Sequence, residues 1–145
     1  MKRIKVSKVR KFITQEASIV DKHAGLMEIA KKIVEDPKTR SVYVVDKDNR
    51  LIGIIPVNFL AQYLFYEYIP GEFFYYKAVK PLEEVRAEDI MIPPVFVREE
   101  DTLNIAFEKM AGNDLRELPV VDNDMKIIGD LNILELIIAW VRLNS

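Results

Sequence analysis

The 145-residue sequence predicts an α/β chain, α+β in schemes that separate the layers, made of two pseudo-two-fold-related β-α-β-β-α repeats. Three observations carry this expectation. Residues 40–60 recur at 116–136 with an offset of 76, and eight of the 21 aligned pairs are identical, against about one or two for unrelated sequences of ordinary composition. Each copy holds two short β-branched runs separated by an Asp-rich turn. Each such hairpin lies between apolar patterns spaced three and four apart, the signature of amphipathic helices.

In chain order, Ser18-Ile19-Val20 reads as a first strand, and Leu26, Ile29, Ala30, Ile33 and Val34 as the buried stripe of a helix capped by Asp21. Val42 to Val45, the turn Asp46-Lys47-Asp48-Asn49, and Leu51 to Ile55 form the first hairpin, followed by a helix from about Val57 to Tyr66. The second copy repeats the order. Val95-Phe96-Val97 is its strand, Leu103, Ala106, Phe107 and Met110 its helix with Asp101 or Thr102 as cap, Leu118 to Val121 and Ile127 to Leu131 its hairpin, and Asn132 to Val141 its last helix. The pairs Asp46/Asp48 and Asp122/Asp124 look like pieces of a cation loop, but the other oxygen ligands and the glycine are missing, so turn chemistry accounts for them.

A unit of about 55 residues buries too little apolar surface to stand alone, so the two repeats are expected to pack together. Their pairing leaves a cleft between equivalent strands, twice by symmetry. The organisation expected is repeat one with a basic arm at 1–66, an aromatic insert at 67–84 and repeat two at 85–145. Phe59 to Tyr76 holds nine of the 14 aromatic residues, including Phe73, Phe74, Tyr75 and Tyr76. These rings are read as closing the core between repeats, with a partner or oligomer surface as the alternative. The same question attaches to Leu134, Ile137, Ile138 and Trp140.

Composition narrows the chemistry. Half the residues are hydrophobic, 30% are charged, and there are no cysteines and one histidine, His23. Thiolate nucleophiles, Cys-ligated metals and His-rich metal sites are thereby excluded, and no nucleophile and base stand at a recognisable spacing, so the chain is read as a non-enzyme with no metal site. Neither G-x-x-x-x-G-K-[ST] nor G-x-G-x-x-G occurs. The longest apolar stretch, Leu131 to Leu143, is broken by Asn132, Glu135 and Arg142, too short and too polar to span a bilayer. The start is basic but no apolar run follows it, so a cytoplasmic location is expected. Net charge is −2, yet six of 21 Lys and Arg lie within the first eleven residues. This arm could grip phosphates, but a solvated, frayed terminus is the expectation and nucleic-acid binding is read as unlikely.

Arg116-Glu117-Leu118-Pro119-Val120-Val121-Asp122 followed by Ile127-Ile128-Gly129 resembles the second-strand signature of the cystathionine-β-synthase (CBS) domain pair. Copy one has the same outline with Tyr43 in place of the proline. The family's entry motif is matched by Glu88-Asp89-Ile90-Met91-Ile92-Pro93-Pro94-Val95, and weakly by Val9-Arg10-Lys11-Phe12-Ile13-Thr14. The resemblance implies a tandem CBS-domain pair that regulates: such pairs bind AMP, ADP, ATP or S-adenosylmethionine in the inter-repeat clefts and pass the binding state to a partner protein. It implies no required cofactor, and it implies homodimers that stack helices into a disc.

The resemblance also assigns candidate site residues. Asn132 stands where the family has the Thr or Ser that meets ribose or phosphate, and Glu135 where it has the ribose-binding Asp, with Asp130 beside them. Ile92, Pro93, Pro94 and Val95 take the place that reads adenine, with Leu118 and Val120 as a wall. Arg40 and Arg116 take the phosphate-facing place, although Ser41 and Glu117 stand where a second basic residue is usual. Pro56 and Phe59 remove both functional groups from copy one, so repeat two is expected to be the main half-site. The alternative is a module without ligand, acting as an oligomerisation or docking scaffold.

Overall fold

Turn chemistry fixes the two hairpins identically. The computed structural model, which describes residues 1–13, 16–70 and 81–145, has β2 (Ser41–Val45) antiparallel to β3 (Leu51–Pro56) and β4 (Glu117–Val121) antiparallel to β5 (Ile127–Asn132). Asp46 Oδ1 accepts the N–H groups of Asp48 and Arg50 at 2.8 and 3.0 Å, and Asp122 Oδ1 those of Asp124 and Lys126 at the same distances. Asn49 and Met125, one offset apart, both adopt left-handed backbone with φ of 63° and 64°. Both hairpins slip register at equivalent places, Val44/Val45 and Val120/Val121. The paired aspartates are therefore turn residues, and the described residues contain no cluster of metal-ligating side chains.

Around the hairpins, β1 (Ile19–Asp21) runs parallel to β2, and α2 (Leu26–Glu35) and α3 (Val57–Leu64) complete the first repeat. The second repeat has α5 (Leu103–Gly112) and α6 (Ile133–Leu143), but its 95–97 run makes only one parallel bridge, Val97 to Val120, rather than a full strand. One cap differs from expectation: Asp21 accepts the N–H of His23 while Gly25 is the N-cap of α2. Thr102 is the N-cap of α5, with its hydroxyl turned to Asn104. No helix among the described residues is long and apolar enough to cross a membrane.

The entry segments cross over. The start of repeat two, α4 (Ala87–Ile90), packs into the core of repeat one: Val85, Ala87 and Ile90 cluster with Val20, Ile29, Val42, Val44 and Ile55. The start of repeat one, α1 (Val6–Val9), packs into the core of repeat two, where Val6 and Val9 meet Leu103, Ala106, Leu118 and Leu136. The main-chain bonds are symmetric. Ala87 N–H donates to Ala24 O and Glu88 N–H to Lys22 O, while Val6 N–H donates to Asp101 O and Ser7 N–H to Glu99 O.

This docking corrects two expectations. The basic arm is no frayed terminus, because Val6 and Val9 point inward and are fully buried between the lysines and arginines; helical spacing, with the charges on the outer face, explains how a basic stretch becomes part of a core. The entry of repeat one is also Val6 to Arg10, a few residues before the motif-like stretch at 9–14. Of the aromatic insert, Tyr63 packs against the first core. Phe65, Tyr66 and Tyr68 are exposed rather than core-closing, and Phe73 to Tyr76 lie outside the described residues.

Candidate functional site

Glycine in each Ile-Gly step lets the exchanged entry segment lie flat on the hairpin. A Cβ on Gly53 would lie 2.6 Å from Met91 Cγ, and one on Gly129 would lie 2.6 Å from Arg10 Nη1. The equivalent pair, Met91 in one half and Arg10 in the other, separates the two half-sites chemically. In the first, Ile92 and Ile54 exchange both main-chain hydrogen bonds, at 2.8 and 3.1 Å. In the second, the segment carrying Arg10 and Lys11 stands off from Gly129 and Asp130, and a cavity of about 500 Å³ opens. Ile13, Ala17, Ile19, Ile127 and Ile128 supply apolar walls, and Arg10, Lys11, Glu16 and Asp130 supply polar groups. Arg10 is held in place by Glu99, with Nη2 at 2.7 Å and Nε at 3.1 Å from Oε1. The guanidinium in turn lowers the pKa of the Glu99 carboxyl.

A second cavity of about 380 Å³ brings Arg40 and Arg116 together with Ser41, Pro56, Val57, Asn58, Asp114 and Leu115. Arg40 Nη1 donates to Pro37 O at 2.8 Å, and Arg116 lies 3.7 Å from Asp114. The Ser41 hydroxyl is buried here without a hydrogen-bond partner.

Between the cavities lies a buried polar seam joining the repeats. Glu117 Oε1 accepts the N–H groups of Arg40 and Ser41 at 3.0 and 2.9 Å, and its Oε2 accepts Asn132 Nδ2 at 3.3 Å. Asn132 Nδ2 also donates to Lys38 O at 3.0 Å, and its Oδ1 accepts Leu134 N–H as the cap of α6. Glu135 closes the capping box by accepting Asn132 N–H at 3.0 Å, and its other oxygen accepts Ile13 N–H at 3.2 Å. Burial pushes the Glu135 carboxyl up, against the main-chain donors that pull it down. The Tyr43 hydroxyl donates to Asp130 Oδ1.

The sequence-derived site residues thus divide among several places. Asp130 borders the first cavity, Arg40 and Arg116 border the second, and Asn132 and Glu135 are buried in the seam with their polar atoms engaged. Ile92 pairs with Ile54 of β3 in repeat one, Ile92 and Val95 pack against the core that holds Leu118 and Leu136, and Pro93 between them is exposed. Leu118 and Val120 are fully buried core residues. Arg10, Lys11, Ala17 and Ile19 were not singled out from the sequence; the recurrent Ile-Gly step was the available signal, since a glycine in a strand marks close approach of another segment. Glu117 carried a signal too, a charge in a strand whose other residues are apolar.

Two intertwined β-α-β-β-α repeats, with a polar seam between them and a cavity where one repeat's entry segment crosses the other's hairpin, define a tandem-repeat α/β fold. The CBS domain model matches residues 9–58 and 87–141, and the chain belongs to the CBS domain family. A CBS domain-containing protein of Thermotoga maritima is 36% identical over 98% of this chain and 97% of its own, with a TM-score of 0.84. CBSX2 in complex with AMP is 23% identical over 98% and 99%, with a TM-score of 0.73. A CBS domain protein of Pyrobaculum aerophilum complexed with AMP is 17% identical over 98% and 100%, with a TM-score of 0.74. A search of curated proteins finds no match.

Proposed function

We propose that the chain is a regulatory module that takes an adenosine-containing ligand, AMP, ADP, ATP or S-adenosylmethionine, between its CBS repeats, mainly on the repeat-two side, and passes the bound state to an effector protein. The observation that carries this reading is the cavity of about 500 Å³ beside Gly129 and Asp130. Its volume lies in the range of small-molecule sites. Isoleucine walls suit a purine face, and Arg10 and Lys11 suit an anionic group. The AMP complexes of the CBSX2 and Pyrobaculum aerophilum proteins support the ligand class. The repeats, taken as 1–66 and 85–145 around the insert at 67–84, then act as two bodies whose packing the ligand biases. By linkage it acts only as far as its affinity differs between the two arrangements.

Filling the cavity tests this. Ala17 lines the cavity and is partly exposed, so Ala17→Trp adds bulk where the ligand would lie. Calorimetric titration of wild type with the four ligands should give binding by at least one, weakened at least about tenfold by Ala17→Trp, the effect of about 1.4 kcal/mol. No binding to wild type, or equal binding by the variant, sinks the assignment.

A scaffold role as a homodimer has its own support. Ile137 and Trp140 on α6 are more than half exposed, and with Phe107 and Leu136 they border an apolar cavity of about 500 Å³ or continue its face; an exposed apolar patch of this kind marks an association surface. Light scattering of wild type should report a dimer at micromolar concentration, and Trp140→Ala should shift it toward monomer. A monomeric wild type removes this reading.

A further inference from the structure

Three acids and one phenol meet inside the seam. Glu117 and Asp130 share a face of the β4–β5 hairpin: Glu117 stands opposite Asn132 and Pro119 opposite Asp130, and alternate strand residues point the same way. The two carboxyl groups are thereby neighbours on that face, and the charge of Glu117 pushes the Asp130 carboxyl up. Asp130 Oδ1 accepts the Tyr43 hydroxyl from repeat one, whereas Asp130 Oδ2 is buried with no donor aimed at it among the described residues. Glu117 already spends both oxygens on N–H donors from Arg40, Ser41 and Asn132. Two ionised carboxylates side by side in a dry interior repel, and an unpartnered buried oxygen is costly. One proton removes both costs, and the free oxygen of Asp130 is its place.

We propose that this seam is a proton-dependent latch: one proton carried by Asp130, between Tyr43 of repeat one and Glu117 of repeat two, closes the repeats on each other, and its release to solvent as pH rises loosens them. The groups bearing on Asp130 come from every neighbouring element. They are Glu117 on β4, Tyr43 on β2 and Glu135 on α6, with Arg10, Lys11 and Glu16 lining the adjoining cavity. Arg10 is engaged by Glu99, so it does not serve as the counter-charge.

The direction of the pH effect follows. Burial first, and Glu117 second, hold Asp130 well above the usual carboxylate range. A group whose proton is held more tightly in the folded chain contributes stability that is complete below the unfolded value, about 4, and is lost as pH climbs through the folded one. Burial raises Glu135 with the same sign, and Tyr43 well above its ordinary value extends the effect to alkaline pH. Lowered Asp46 and Glu99 work in the opposite sense, losing stability below about pH 4.

The latch stands apart from the ligand reading and is tested on the protein without nucleotide. Infrared spectra of wild type followed from pH 4 upward should keep, above the usual carboxylate range, a protonated-carboxyl band that Asp130→Asn removes. Above about pH 5 the wild-type folding constant should fall, by up to about tenfold per pH unit over the release range. Asp130→Asn should flatten that slope, and Glu135→Gln should leave the Asp130 part of it. Hydrogen-exchange protection at the Arg40 and Ser41 amides should drop together with the band. If Asp130→Asn does not fold, Glu117→Gln takes its place: its amide supplies the missing hydrogen, so the band should vanish while the seam stays closed. Loss of the band within the usual carboxylate range, or a slope unchanged in the variant that folds, overturns the latch.

Discussion

Glu117→Ala should destabilise the fold by about 3 to 5 kcal/mol, the cost of stranding partners of a buried charge. The side chain leaves three donors behind, the amides of Arg40 and Ser41 and the Asn132 side chain. Two of them belong to repeat one, so the loss falls on the contact between repeats. Some of the cost is recovered because a desolvated carboxylate has gone. Chemical denaturation should report the difference at unchanged slope. Glu117→Gln keeps an acceptor oxygen and should cost less than half as much. A Glu117→Ala protein within 1 kcal/mol of wild type would mean that the seam does not join the repeats.

Glu135→Ala should cost about 2 to 4 kcal/mol and, unlike the first variant, act locally, since it removes the N3 half of a capping box and the acceptor for Ile13 N–H. Residues 10–13 are then held mainly by Arg10 to Glu99 and by the Arg142 guanidinium 4.1 Å above the Phe12 ring. Exchange at the Ile13 amide should quicken by more than the global loss of stability requires, and the cavity wall should move with it. Equal quickening throughout the chain would assign Glu135 to the general stability of α6 instead. The residue that the resemblance assigns to ribose is thus engaged with main-chain groups of its own chain.

The repeat made the secondary structure legible, because hairpin turns and helical stripes are local signals. Even the left-handed positions Asn49 and Met125 fall one offset apart. The crossing of α1 and α4 was not legible: a periodic apolar stripe says that a helix packs, and nothing in it says against which repeat. The three-residue spacing of Val6 and Val9 inside a basic stretch is silent about its partner for the same reason. The candidate site was legible in parts. Arg40, Arg116, Asn132, Glu135 and Asp130 all lie at or beside the inter-repeat cleft, but local spacing could not reveal that Asn132 and Glu135 are occupied by main-chain groups from residues 13, 38 and 132 itself. Burial of Glu117 follows from its place in β4, opposite Asn132; the donors that make that burial tolerable come from 77 and 76 residues away.

The exchanged entry segments carry a consequence for how the chain is joined. Cut between the repeats, each half would keep its own hairpin but present the other half's first helix, the arrangement of two protomers that trade an identical element. The pair therefore has the geometry of a domain-swapped dimer written as one polypeptide. What links its halves is less the peptide between them than the reciprocal loan of α1 and α4.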